Sequence, residues 1–321
     1  MSTFQSTPRY NRQRHRARYF IEPLPNSIEL KMMEIPAGRF LMGAPETEAE
    51  SSDVERPQHE VSLQGFCMGK YPITQAQWKA VVEGISQVKD ELNPDPSHPK
   101  FKGDNKPVGN VSWLDTVEFC ARLSKHTKRD YMLPSEAEWE YACRAGTTTP
   151  FHYGETILTD LVNYNGTQPY GNAPKEEFRD TITEVRSFPP NAFGLHDMHG
   201  NVWEWCRHDR HSNYNGIPIV EGIIPYPDGR AYAESTQTWV ERAQNDVSNQ
   251  LIRGGSYISH AKNCRSASRA YTLPYMRCPD YGFRVVCVLS RGDYPDDEYI
   301  ALLPDFLQRD ISPKGNINRY L

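Results

Sequence analysis

A long irregular stretch in the middle of the chain restricts the folds open to it. Between residues 146 and 250, only short apolar pieces occur, separated by clusters of glycine, proline and asparagine. P-loop and Rossmann architectures join their elements by short loops and do not accommodate so much irregular chain. The 321 residues include 25 prolines and 21 glycines, which indicates many turns. We therefore expect an α+β fold with few helices, short strands and much irregular loop.

Regular elements are predicted mainly before this stretch. Residues 28–42 and 61–68 alternate apolar and polar side chains, as strands do. Three helix starts are indicated by a hydroxyl residue able to cap free backbone N–H groups, followed three positions later by a side chain that can reach back. These pairs are Thr74 with Gln77, Ser112 with Asp115, and Ser135 with Glu138.

The sequence predicts one domain with two flanking segments. The domain is expected to span residues 27–288. Residues 1–26 lack hydrophobic periodicity and carry a run of arginines, so we interpret them as a disordered basic tail. Residues 289–321 mix acidic residues with short apolar pieces, which is consistent with a tail or with a short docked helix.

Charge and hydropathy exclude several classes of partner. The formal net charge of −5 provides no general attraction to nucleic acid or to anionic lipid. No apolar stretch approaches the ~18 residues of a membrane span, and no secretory signal is readable, so we expect no membrane partner and a cytoplasmic location.

The cysteines are expected to be reduced thiols of the core. The seven cysteines are odd in number, widely spaced and never form a CxxC pair. This pattern disfavours both a disulfide framework and a zinc site.

Six segments in a fixed order resemble one family. They are IPAGRFLMG at 35–43, MGKYPITQAQW at 68–78, LPSEAEWEYACRAG at 133–146, PPNAFGLHDMHGNVWEW at 189–205, RGGSY at 253–257 and GFRVVC at 282–287. Together they resemble the sulfatase-modifying-factor domain, the family of the formylglycine-generating enzyme. The resemblance covers residues 28–288 and implies a C-type-lectin-like fold.

The resemblance also implies structural calcium. The first implied set has Asp197 and Glu204 as side-chain ligands, with carbonyls from Gly200 and Val202. The second has side-chain oxygens from Asn163 and Glu177 and carbonyls from Tyr164 and Arg179, with glutamate at 177 where the family usually has aspartate. Ligand sets of oxygen atoms alone suit a hard cation.

The catalytic pattern of the family is incomplete in this chain. The formylglycine-generating enzyme oxidises a peptide cysteine with a copper ion held by two cysteines, and soft thiolates select Cu(I). The family spacing places those positions at Ser259 and Cys264, so only one thiol remains and no copper is expected. Cys278 lies in the following loop, where family spacing supports no ligand role. The histidines likewise form no H-x-x-x-H-x-E set that would hold nonheme iron.

Another branch of the family binds ligands without catalysis. The segment from 256 to 287 resembles the variable region of proteins diversified by retroelements, so the chain is predicted to be a non-catalytic binder of a protein or peptide. Aromatic residues with polar tips suit such surfaces, although each is equally compatible with a core position. The alternative is an oxidase of the formylglycine-generating type. The predicted ligand-binding residues are Tyr257, Ile258, Ser259, His260, Ser268, Ala270, Tyr271, Thr272, Leu273, Tyr275, Cys278, Asp280 and Tyr281.

Overall fold

The computed structural model describes residues 13–209, 214, 236–243, 248–287 and 298–303. Four α-helices lie within these ranges: α1 (Gln75–Gly84), α2 (Trp113–Thr127), α3 (Glu136–Arg144) and α4 (Thr236–Ala243). The strands are β1 (Gln13–Leu24), β2 (Ile28–Ile35), β3 (Gly38–Met42), β4 (His59–Leu63), β5 (Phe66–Gly69), β6 (Tyr131–Met132), β7 (Trp203–Asp209), β8 (Gln250–Arg253), β9 (Arg269–Thr272), β10 (Tyr281–Gly282), β11 (Val286–Cys287) and β12 (Glu298–Leu303).

Three sheets organise these strands. The largest has the order β12-β1-β2-β5-β11-β6, the second has β10-β7-β8-β9, and β3 pairs with β4 alone. The largest sheet contains strands from both sides of the irregular stretch, so the last part of the described chain completes a sheet that the first part begins. The second sheet is built from strands that follow residue 202. The predicted α+β class with few helices and short strands is confirmed.

The three predicted helix starts are confirmed in detail. Thr74, Ser112 and Ser135 each accept a hydrogen bond from the backbone N–H three residues later, and the side chain at that later position bonds back to the capping residue. Each pair satisfies two backbone donors that a helix start leaves open.

The two predicted strands are each divided in the structure. Residues 28–42 form β2 and β3, which end and begin on either side of Pro36, a residue without a backbone N–H for a ladder. Residues 61–68 fall in β4 and β5, with Gly65 between them. The breaks let β3 and β4 form a separate hairpin while β2 pairs with β5 in the large sheet.

The terminal segments differ from the prediction. Residues 13–24 form β1 instead of a tail, and Tyr19 to Leu24 pair with β2. In the C-terminal segment, residues 298–303 form a strand paired with residues 13–18, instead of a helix. The sequence did not indicate a strand at 13–18, because charged residues alternate with other residues there. The strand that pairs with these residues, β12, is also far away in sequence. The predicted tail at 1–12 lies outside the described residues.

The irregular stretch from 145 to 202 is ordered without helix or strand. Backbone hydrogen bonds between loops support it, among them Gly166 N–H to Glu177 O at 3.1 Å and Asn201 N–H to Asn163 O at 2.8 Å. The main apolar core packs between the large sheet and the helices. A second apolar cluster supports the irregular stretch and is formed by Phe151, Tyr153, Ile157, Leu161, Val162, Tyr164, Tyr170, Ala261 and Cys264. Burial of apolar area therefore contributes to the order of this stretch.

No helix in the described part of the chain is long and apolar enough to cross a membrane.

Candidate ligand-binding site

Buried arginines fix the segment that follows Ser256. Arg265 reaches Glu55 through two nitrogens at 2.7 Å and also contacts Glu48. Arg269 binds Glu136 of α3 and donates to Val54 O at 2.6 Å. Burial opposes charge on Glu136, but Arg269 and Arg253 outweigh it and hold the pKa of that carboxyl below its usual value. Both arginines thus tie the segment to the 44–58 loop and to α3.

A buried polar network holds the start of the segment. Ser259 Oγ accepts from Ser256 N at 2.9 Å, and Ser256 Oγ donates to Asp280 at 2.7 Å. Burial raises the pKa of Asp280. Ser259 and Asp280 are buried with polar atoms bonded inside the domain, which indicates a scaffold role, and their role as ligand contacts stays a prediction.

Two more predicted contacts are also buried. Tyr257 is 8% exposed and packs against Phe101, with ring centroids 5.3 Å apart. Ser268 is buried beside Arg253, whose guanidinium donates to the Ser268 carbonyl. Both belong to the interior, which for Tyr257 was the alternative that the sequence left open.

The strand residues of the segment are half-buried. Tyr271 lies in β9 opposite Leu251, and its ring contacts the Arg269 guanidinium at 5.3 Å. Tyr281 packs edge-on against Trp205, with centroids 5.5 Å apart. Ala270, Thr272 and Cys278 are also half-buried. These side chains border the surface and present only part of their area to it.

Residues 273–279, here called the binding loop, are anchored along the first turn of α2. Arg277 forms a two-bond contact with Asp115, both bonds at 2.7 Å. Asn110 N donates to Cys278 O at 2.8 Å, and Leu114 N donates to Pro274 O at 3.3 Å. A side chain at Gly109 would collide with the Pro279 carbonyl, which explains the glycine there. The loop backbone is therefore held at both ends.

Apolar side chains project from this anchored backbone. Seven large hydrophobic side chains are exposed in the described part of the chain, and four of them lie in the 256–287 segment. Their exposed fractions are 46% for Ile258, 37% for Leu273, 56% for Tyr275 and 38% for Met276. His260 is exposed as well. Met276 is not among the residues predicted from the sequence, although it lies one position from Tyr275, and the Arg277–Asp115 anchor was not predicted either.

Cys264 is placed where it cannot act as an exposed thiolate. The side chain is fully buried, and burial raises the pKa of its thiol, with nearby Cys143 adding to the effect. Gly255 has φ +73°, and a Cβ there would lie 2.5 Å from Cys264 Sγ, so the second glycine of the GGS motif makes room for this sulfur. The thiolate is the form that binds metals, and this environment disfavours it.

The first implied calcium set fits only in part. Glu204 Oε2 accepts from Trp139 Nε1 at 2.8 Å and Arg284 Nε at 2.7 Å, while Oε1 accepts from Arg284 at 2.7 Å. A cation at Glu204 would have to displace a buried guanidinium, so this carboxylate does not fit the ligand role. Asp197 fits better, because its Oδ1 is buried without a hydrogen-bond partner among the described residues. Burial raises the pKa of Asp197 to about 7.

Gly200 and Val202 lie in the turn that leads into β7. Gly200 N donates to Gly254 O at 2.7 Å, and Val202 packs with Tyr257 and Phe101. The turn therefore joins the predicted metal region to the start of the 256–287 segment.

The second implied calcium set also fits only in part. Asn163 Oδ1 is buried without a hydrogen-bond partner in the described ranges, whereas Glu177 is turned to the surface and pairs with Arg179 at 2.6 Å. Tyr164 is buried in the second apolar cluster. Among the residues that the structure describes, no three His, Cys, Asp or Glu side chains gather where a metal ion fits. Calcium stays a prediction, and it now rests on the Asp197 and Asn163 oxygens.

The fold and this loop surface define a C-type-lectin-like α+β domain whose loops are held by buried arginine–carboxylate pairs. Residues 20–289 match the family model described as a sulfatase-modifying factor enzyme 1-like domain. The chain belongs to the sulfatase-modifying factor family.

Three relatives illustrate the range of the family. The formylglycine-generating enzyme of Mus musculus is 27% identical over 324 residues, which cover 86% of this chain and 80% of that protein. The inactive C-alpha-formylglycine-generating enzyme 2 of Bos taurus is 29% identical, covering 65% of this chain and 81% of its own. Among solved structures, Treponema denticola variable protein 1 superposes with a TM-score of 0.65 at 23% identity, covering 84% of this chain and 99% of that chain.

Proposed function

We propose that this protein is a non-catalytic binder that presents the surface of the 256–287 segment to a protein or peptide ligand. The observation that carries the proposal is the concentration of exposed apolar side chains on the anchored binding loop. Leu273, Tyr275 and Met276 fall within four consecutive positions, while Arg277 beside them is fixed by Asp115.

The anchoring favours binding on energetic grounds. A loop that is already ordered loses little conformational freedom when a ligand docks, so more of the interaction free energy appears as affinity. Tyrosine and methionine offer large contact areas, and both are enriched in interfaces between proteins. Small-molecule sites are concave, whereas these side chains project outward, which supports a protein or peptide as ligand.

The scaffold allows the exposed residues to change. The segment is anchored to Glu48, Glu55, Glu136 and Asp115, all outside it, through Arg265, Arg269 and Arg277. The side chains that project at 258, 273, 275 and 276 are not among the anchors. The name of the Treponema variable protein suggests a role of this kind, and we propose that the exposed positions here tolerate substitution and set ligand choice.

The alternative is a peptide-cysteine oxidase like the mouse relative. The position of one copper-binding thiol is occupied by Ser259, which is buried and hydrogen-bonded to Ser256. The other position is the buried thiol Cys264. The name of the bovine relative marks it as inactive. This supports our proposal that a protein with this fold can function without oxidising a peptide cysteine.

Differential selection tests the proposal. A displayed library of random peptides is panned on the immobilised protein and, in parallel, on the variant Leu273→Ser/Tyr275→Ser/Met276→Ser. We expect peptides that bind the native protein and lose capture on the variant, which should keep its melting temperature because the three side chains are exposed. Peptides that bind both proteins equally would place the binding surface elsewhere. A matched control, Leu41→Ser/Val88→Ser/Phe178→Ser, changes three exposed hydrophobic residues outside the segment and should leave capture intact.

A further inference from the structure

Two cysteines lie directly opposite each other in the large sheet. Cys287 of β11 is paired in antiparallel register with Cys67 of β5, and the neighbouring pair in the same ladder is Val286 with Met68. Directly opposed residues of an antiparallel pair have Cα atoms about 4.5 or 5.5 Å apart, and their side chains share one face. Disulfides span Cα separations of about 4.4–6.8 Å, so the backbone here already has the required spacing.

The surroundings of the pair favour a structural cross-link. Cys67 and Cys287 are 0% and 1% exposed, and the Cys67 thiol hydrogen-bonds to Cys287, which together with burial raises the pKa of Cys287. Tyr131 of β6 lies opposite Cys287 on the other side of β11, and its hydroxyl donates to Glu22 at 2.7 Å. The two sulfurs therefore meet in the interior of a six-stranded sheet, between neighbours that are themselves fixed.

We propose that Cys67 and Cys287 form a disulfide cross-link when the protein meets a low-molecular-weight disulfide such as oxidised glutathione. One thiolate attacks a sulfur of glutathione disulfide and releases one glutathione thiol. The second cysteine then displaces the other glutathione from the mixed disulfide. The two cysteines lose two protons and two electrons in total, and one glutathione disulfide becomes two glutathione thiols.

The cross-link would join both ends of the domain. β5 lies near the start of the chain and β11 ends the 256–287 segment, so the bond closes a loop of more than 200 residues. A cross-link that closes a long loop restricts the unfolded chain strongly. It would hold the C-terminal boundary of the segment to the sheet regardless of which side chains occupy the exposed positions.

The experiment counts free thiols. The full-length protein is equilibrated in reduced or oxidised glutathione, both in the native state and by refolding from urea, because burial slows exchange in the native state. The protein is then denatured, its free thiols are alkylated, and its mass is measured by mass spectrometry. Reduced protein should take up seven labels and oxidised protein five, and peptide mapping should find residue 67 joined to residue 287. The oxidised protein should melt about 5 °C or more above the reduced protein.

Matched variants separate this pair from the other cysteines. Cys67→Ser and Cys287→Ser should each take up six labels after oxidation, whereas Cys206→Ser, which also removes a buried thiol, should take up four. Seven labels on the native protein after refolding in oxidised glutathione would overturn the proposal. A cross-link between Cys143 and Cys264 in place of the 67–287 bond would overturn it as well.

Discussion

At the scale of single residues, Ser259 and Cys264 are the basis of our proposal that the chain does not oxidise peptide cysteines. Incubation with a sulfatase-motif peptide, copper, reductant and oxygen should leave the peptide cysteine unchanged by mass, because one thiol cannot form a copper dithiolate and its burial disfavours the thiolate. An active formylglycine-generating enzyme serves as positive control. An aldehyde product that disappears in Cys264→Ser would establish the oxidase in place of the binder.

Buried histidines make the domain sensitive to acid. His199 donates through Nδ1 to Cys264 O at 2.6 Å and accepts from His152 N at 3.1 Å through Nε2, so it is held neutral. Burial lowers the pKa of His199 to about 4 and holds the pKa of His152 well below its usual value, with His199 and His196 adding to the effect on His152. Neither ring nitrogen of His152 has a hydrogen-bond partner among the described residues.

The sign of the effect follows from proton linkage. Between about pH 6.5 and 4, the unfolded chain binds protons that native His199 and His152 do not, so stability is full above pH 6.5 and falls as the pH drops. His199 alone accounts for about 3 kcal/mol over this window. In the metal-free protein, Asp197, whose pKa is raised by burial to about 7, has the opposite sign and offsets part of the loss.

Replacing His152 tests this account. The variant His152→Phe keeps a buried ring without a titrating group, so it should be stable at pH 7 and should lose less stability between pH 6.5 and 4 than the native protein. Urea unfolding at each pH measures both. An identical pH dependence in the two proteins would show that His152 is already protonated, or exposed, in the native state.

At the scale of elements, the arginine–carboxylate pairs join the 44–58 loop to the 256–287 segment. Arg265→Ala leaves Glu48 and Glu55 buried without their partner, and breaking such a pair costs about 3–5 kcal/mol. Arg39→Ala is the matched control, because the Arg39–Glu60 pair is exposed and is expected to contribute under about 1 kcal/mol. Equal losses of stability on urea unfolding would contradict this assignment.

The same elements show how far the sequence determines the fold. The capping residues Thr74, Ser112 and Ser135 predict the first three helices because a cap is a local signal. β12 and residues 13–18 of β1 could not be predicted in this way, since they pair with each other across almost the whole chain. Residues 19–24 of β1 pair with the neighbouring β2. Leu273 and Tyr275, which the sequence places on the ligand-binding surface, are exposed. The burial of Ser259 and Asp280 depends on a hydrogen bond network that spacing does not reveal.

At the scale of the whole molecule, calcium is predicted to support the irregular stretch. The buried oxygens of Asp197 and Asn163 that lack hydrogen bonds are acceptors that a cation would satisfy. Excess chelator should lower the melting temperature, by an amount equivalent to about 2.7 kcal/mol if the ion is at 100 times its Kd. The variant Asp197→Asn/Asn163→Ala should respond less. An unchanged melting curve, together with no metal in elemental analysis, would rule calcium out.

The central claim is that the binding loop, and not catalysis, is the functional part of the molecule. Its most direct test is the affinity of a selected peptide for the native protein, for Tyr275→Ala and for the control Phe178→Ala, each with its melting temperature. Tyr275 is 56% exposed and Phe178 39%, so neither change should unfold the domain. Loss of a hot-spot contact costs about 2 kcal/mol or more. We predict a Kd about 30-fold weaker for Tyr275→Ala and unchanged for Phe178→Ala, and equal affinity of Tyr275→Ala and the native protein would contradict the claim.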